Sequence, residues 1–175
     1  MLTKNFWAIF TGFIGKIQGS SKTVAMKKVD GSNYSETVFS SSSKPYTMLG
    51  AIAIPLSDTR YGTFHGTWYG KGRTPATWDD YTLADPITDS SVIGTAGTEA
   101  LVNNVSTDHV EISVPHSVTN QTDNPITIGE IGCFGQAYSG GSAILLDRTV
   151  LEEPITIPPR GTVRFEYVIK FPYGT

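Results

Sequence analysis

Apolar and polar residues alternate most cleanly towards the end of the sequence. In TVRFEYVIKF (162–171), Val163, Phe165, Tyr167, Ile169 and Phe171 fall on one side of an extended chain, and Thr162, Arg164, Glu166, Val168 and Lys170 on the other. A period of two belongs to a strand with one face in a core and the other towards solvent or a partner. HVEISVPHSV (109–118) repeats the pattern, with Val110, Ile112 and Val114 opposing Glu111 and Ser113. KTVAMKKV (22–29) and NYSETVF (33–39) flank Asp30-Gly31, which predicts a hairpin with a type I′ turn. TMLGAIAIP (47–55) and ITIGEIGCFG (126–135) are mostly apolar and predict buried strands, the second with glycines where side chains would be crowded out. TFHGTWYG (63–70), ALVNNVS (100–106) and AILLDRTV (143–150) are further strand candidates. PITIPPRG (154–161) reads as an extended segment ending in a tight turn, SSSSK (40–44) as a polar loop and TDNP (122–125) as a turn. About ten short strands between turns predict an all-β chain, an antiparallel β-sandwich of jelly-roll or immunoglobulin-like type.

Two stretches depart from the strand period. Phe6, Trp7, Phe10, Phe13, Ile14 and Ile17 are spaced three to four apart, as on one face of a helix, although Gly12 and Gly15 weaken it. The pattern predicts a short amphipathic arm over residues 1–20, docked on its own domain or a neighbour, followed by a sandwich domain over 21–175. A signal sequence and an N-terminal strand are the competing readings. The first is disfavoured because Lys4 is the only early cation and no small-x-small site follows the apolar run. Residues 77–83 predict one other helical turn, because Thr77-Trp78-Asp79-Asp80 has the spacing of a capping box.

A chain of 175 residues fits one domain plus an arm, and 18 glycines and 10 prolines suit a turn-rich β protein. The net charge of −3 comes from mixed signs with no basic stripe, so the main driving force for nucleic-acid binding is missing. Cys133 is the single cysteine, which excludes an intrachain disulfide and a cysteine-based zinc site. No apolar run approaches the roughly 20 residues that span a bilayer.

GKGRTPATWDDYTL (70–83) puts glycines beside cations and two carboxylates side by side. A phosphate loop needs G-x-x-x-x-G-K-[ST] opening a helix; here the glycines are two apart and Pro75 follows. Asp79 and Asp80 suit the first turn of a helix better than a metal, because no further oxygen ligands are patterned around them. His65, His109 and His116 show no ligand spacing, and no nucleophile elbow occurs. Cys133, between Gly132 and Phe134, reads as buried and inert. Glu130 and Arg148 lie on strands expected to be neighbours, and a salt bridge or hydrogen-bonded brace is their expected use. Asn33, Asn104 and Asn120 each begin an N-x-[ST] triplet, which reads as chance without a secretory signal. No catalytic, cofactor-binding or metal-binding residue is expected. Tyr61, Phe64, Trp68 and Tyr69 form an aromatic cluster that would offer sugars a stacking platform.

Three segments taken in order, GKGRTPATWDDYTLADPI (70–87), NPITIGEIGCFG (124–135) and ILLDRTVLEEPITIPPRGTVRFEYVIKFPYG (144–174), resemble small structural proteins of tailed-bacteriophage virions. The resemblance rests on the glycine turn of Gly70 and Gly72, then Thr74-Pro75, then Asp80 and Leu83. It continues in the I-x-E-I-G strand with Glu130 and Gly132, and in the L-L-D-R strand with Asp147 and Arg148. It covers about half of the chain. It implies a non-enzymatic, homo-oligomeric virion component of the tail, collar, fibre attachment or head decoration. Its partners would be other virion proteins, and it would be made in the host bacterial cytoplasm. In that setting Phe6, Trp7, Phe10 and Phe13 would insert into a neighbouring subunit. The alternative is a carbohydrate- or receptor-binding β-sandwich module with a host surface glycan as partner.

Overall fold

The structure is a computed structural model that describes residues 1–8, 22–38, 66–89, 91–96, 102–105, 108–136 and 143–172. Nine strands are present among them, and they pair antiparallel throughout. They are β1 (Lys22–Lys27), β2 (Asn33–Val38), β3 (Gly66–Gly70), β4 (Ile93–Ala96), β5 (Val102–Val105), β6 (His109–Asn120), β7 (Ile126–Gln136), β8 (Ala143–Ile157) and β9 (Thr162–Pro172). Residues 4–8 are the only helical ones among those described, so the all-β expectation holds. No described helix is long and apolar enough to cross a membrane. The expected strand at 47–55 lies outside the described residues. The chain forms two compact units, Met1–Ile87 with Ile128–Ile155, and Thr88–Thr127 with Thr156–Thr175.

In the first unit the sheet order is β3-β7-β8. β7 is central, and its residues 128–135 are all buried, as a strand covered on both faces must be. Leu83, Phe134, Ala143 and Leu145 make a buried cluster against which Val29 and Trp68 pack. Each large apolar side chain taken fully from water there contributes roughly 1.5–3 kcal/mol before ordering costs. Gly132 is part of that packing: a Cβ would stand 2.7 Å from the Phe134 ring and 2.8 Å from Leu83 Cδ2.

The open edge of β8 is covered by the start of the chain. The Thr3 N–H donates to the Leu146 carbonyl (3.0 Å), and the Arg148 N–H donates to the Met1 carbonyl (3.1 Å). Asn5 acts as a side-chain strand partner for the end of β1: its Nδ2 donates to the Lys27 carbonyl and its Oδ1 accepts the Lys27 N–H, both at 2.8 Å. Thr3, Asn5 and Phe6 are buried. An unpaired strand edge invites wrong partners, and this segment closes one.

The β1–β2 hairpin differs from the expected two-residue type I′ turn. That turn needs positive φ at both central residues, and only Gly31 (φ 81°) has it. The Gly31 N–H donates to the Lys28 carbonyl (2.9 Å) and the Lys28 N–H to the Ser32 carbonyl (3.0 Å). The loop is therefore one residue longer, with glycine at its left-handed position. Asp30 keeps negative φ and caps the Ser32 N–H with its carboxylate (2.8 Å).

In the second unit β6 is the spine. β4 and β5 pair with its two ends, and β9 pairs with it from His109↔Pro172 to Thr119↔Thr162. Thr162, Arg164, Glu166, Val168 and Lys170 are exposed while Phe165 is buried, as the alternation predicts. Asn120 is fully buried, and its Nδ2 donates to the carbonyls of Asn124 (2.7 Å), Ile157 (3.1 Å) and Pro158 (3.0 Å). It thereby fixes the PPRG turn, where Arg160 takes φ 56° and the Gly161 N–H donates to the Pro158 carbonyl (2.9 Å).

Candidate functional site

The stretch from Gly70 to Ile87 leaves β3 and returns to its end. The Lys71 N–H donates to the Asp85 carbonyl (2.8 Å), and the Ile87 N–H donates to the Tyr69 carbonyl (2.9 Å). A compact loop whose ends meet in this way is Ω-like, and such loops are frequently functional. Hydrogen bonds at the neck alone would leave its interior amides unsatisfied.

Glu130 supplies the missing acceptor. It stands on β7 opposite Gly70 in the register, fully buried. Its Oε1 accepts the N–H groups of Gly72 (3.2 Å) and Asp85 (2.8 Å), and its Oε2 accepts that of Ala84 (3.1 Å) and Nε–H of Arg148 (2.8 Å). The glycines explain themselves here. A Cβ on residue 70 would lie 2.5 Å from Oε1, and one on residue 72 would overlap the same oxygen. Glycines and converging amide donors are the makings of an anion cradle, and the anion held is the protein's own carboxylate.

Arg148, on β8, is buried beside it and distributes the remaining guanidinium donors over the loop. Nη1 donates to Asp80 Oδ2 (2.8 Å) and to the Pro75 carbonyl (3.4 Å), and Nη2 donates to the Thr74 carbonyl (2.9 Å). Burial alone would lower the Arg148 pKa, but the bonds to Asp80 and Glu130 outweigh it and hold it above its ordinary value. For Asp80, partial burial pushes the pKa up. The Thr77 N–H, Arg148 and the Thr77 hydroxyl together bring it below the ordinary aspartate value.

Asp80 also closes the turn that bears the loop's tip. Its Oδ2 accepts the Thr77 N–H (2.8 Å), and its Oδ1 accepts the Thr77 hydroxyl (2.7 Å). This is half of a capping box without the helix: residues 77–83 form a turn and bend, which corrects the expected helical turn. The reason is that the Asp80 carboxylate is drawn towards Arg148, and the Thr77 hydroxyl gives its proton to that carboxylate instead of accepting a helical N–H. Trp78 and Asp79 sit exposed at the tip. The Lys4 N–H donates to the Trp78 carbonyl (3.1 Å), Lys4 Nζ pairs with Asp79, and the Trp7 and Trp78 rings stack with centroids 6.4 Å apart at 24°. Tyr81 carries Lys27 Nζ 4.9 Å over its ring.

No family model, curated protein or solved structure matches the chain. The residues themselves therefore carry the reading. Of the expected positions, Gly70, Gly72, Thr74, Pro75, Asp80, Glu130 and Arg148 come together in this network. Leu83 and Gly132 meet in the adjoining core, and Asp147 accepts the Thr149 hydroxyl (3.2 Å). The expected Glu130–Arg148 brace is present. Phe6 is buried within its own unit, so it is not on the surface for a neighbour; Trp7 is exposed, and Phe10 and Phe13 lie outside the described residues. Tyr69 is buried and Trp68 packs on Phe134 at 4.8 Å, while Tyr61 and Phe64 lie outside the described residues.

His109 Nδ1 lies 2.7 Å from Asp108, and His65 lies outside the described residues. Among the described residues no group of three His, Cys, Asp or Glu could hold a metal ion. Cys133 is buried, and burial, reinforced by the charge of Asp147, pushes its thiol up to about 12. Asn120 begins a sequon, yet its amide is sealed inside the second unit and cannot accept a glycan in the folded chain. Its part as a hub was missed, and the one signal available was its place at a strand end beside the TDNP turn. The backbone donors of Gly72, Ala84 and Asp85 were missed as well, because donors on the main chain carry no residue signature.

Proposed function

We propose that the chain is a non-enzymatic structural component of a tailed-phage virion, assembling through repeated contacts with copies of itself and with other virion proteins. One observation carries the reading. The three segments that resemble such proteins are far apart in sequence, and their marker residues meet around one buried ion pair: Gly70 and Gly72 from the first segment lie against Glu130 from the second, and Asp80 from the first is bonded by Arg148 from the third. That the three segments fold into one physical unit supports the reading. A buried charged network with its partners in place favours a single rigid arrangement, which suits a part repeated under symmetry.

The antiparallel β-sandwich belongs to the same proposal. Its support is the two-faced alternation of β9, whose apolar face needs a covering layer. Phe6 takes no part in assembly in this reading. The alternative, a sugar-binding module built on Trp68 and Tyr69, is not favoured at those residues, because Tyr69 is buried and Trp68 lies against Phe134. Mass spectrometry of density-purified particles tests the proposal. The chain is expected in multiple copies per particle; its absence from particles, while abundant in the infected lysate, would contradict it.

A further inference from the structure

We propose that Trp78, with Trp7 stacked behind it, is a carbohydrate-stacking site that takes the apolar face of a pyranose ring. Lys4 and Asp79 at its rim would bond the sugar hydroxyls. The inference goes beyond the virion reading and does not rest on it.

Trp78 is 45% exposed and Trp7 38%, so each leaves a large aromatic surface in water, although Trp7 also packs edge-on against buried Phe6 (centroids 5.5 Å apart, 89°). Their positions are nevertheless fixed. The turn bearing Trp78 is closed by Asp80, which is tied to buried Arg148, and its carbonyl is held by the Lys4 N–H. Trp7 rides on residues 4–8, anchored through Asn5 to β1. An aromatic surface held in place before a ligand arrives loses little entropy on binding.

The size and chemistry of the patch select the occupant. Two indoles exposed by about two-fifths offer on the order of 200 Å². A stable protein partner needs about 800 Å² per side, so the pair alone is too small for one. It is the right size for a single sugar ring, whose C–H face is apolar and whose rim is all hydroxyl. Lys4 and Asp79, the latter next to Trp78 in the chain, pair with each other, with side chains 59% and 75% exposed, and would supply donors and acceptors for that rim.

The test is titration of the full chain with maltohexaose, cellohexaose and chitohexaose, followed by tryptophan emission and saturation-transfer NMR. At least one sugar is expected to give a saturable change. Trp78→Ala and Trp7→Ala are each expected to weaken it by about tenfold or more, with Trp78→Phe retaining most of it. Circular dichroism and urea midpoints identify any variant that fails to fold, and Lys4→Ala, which leaves the aromatic pair intact, then reports on the rim through a smaller loss. Three results would overturn the proposal: no saturable change with any of the three sugars, binding unchanged in folded Trp78→Ala, or a change of oligomeric state in Trp78→Ala without any sugar effect. Particle mass spectrometry is unaffected by these results, so the two proposals fail separately.

Discussion

Glu130 has exchanged water for four protein donors, one of them charged, and truncating the side chain strands all four at once. Breaking a buried ion pair by altering one partner typically costs about 3–5 kcal/mol. Glu130→Ala is therefore expected to lower the urea midpoint by that equivalent without changing the slope, since a lost interaction and not a new denatured state is responsible. Asp80 adds a pH dependence whose sign follows from its depressed pKa. Its contribution is fully present above the unfolded value of about 3.9 and is lost as pH falls through the lower folded value. The drop in urea midpoint between pH 6 and acid pH below about 4 should be smaller in Asp80→Asn than in the parent. The exposed Asp30 and Asp89, also depressed, act equally in both proteins and cancel from the comparison. At this scale the sequence exposes the pairing of Glu130 with Arg148, because strand alternation and neighbouring strands bring opposite charges together. It conceals Asp80's link to Arg148, because that depends on how a loop folds back over a strand.

Elements were legible where one period dominates. β9 and the two strands of the β1–β2 hairpin follow their apolar patterns, while β4 carries too short a pattern to announce itself and β8 runs on through Pro154 to Ile157. Turns were less legible, since Asp30-Gly31 and Thr77–Asp80 are decided by which side-chain oxygen wins a nearby N–H. β7 is the element on which the first unit depends, and Cys133 is a built-in reporter of its opening. A thiol sealed in the strand and pushed up to about 12 stays protonated and out of reach. Native protein is expected to resist iodoacetamide at pH 8, with full labelling in urea. Rapid labelling without denaturant would show that β7 opens on its own.

The first unit, taken whole, is three distant sequence segments and the first eight residues fastened around one sheet. Removal of residues 1–6 deletes buried Thr3, Asn5 and Phe6 and reopens the edge of β8. Loss of a buried phenylalanine alone costs about 3–5 kcal/mol, so the truncated chain is expected to melt well below the parent in calorimetry; an unchanged transition would mean the segment is separable after all. All-β character was readable from the whole chain because about ten short patterned runs leave little room for helices. The convergence of the three segments was not readable, since spatial meeting at a buried residue leaves no period behind. The functional reading rests on that convergence, and amide hydrogen exchange of Gly72, Ala84 and Asp85 tests it most directly. The account predicts that these three amides are strongly protected in the parent and lose protection together in Glu130→Ala, which removes both acceptor oxygens, while amides of β9 in the second unit keep theirs. Equal exchange of the three in both proteins would contradict it.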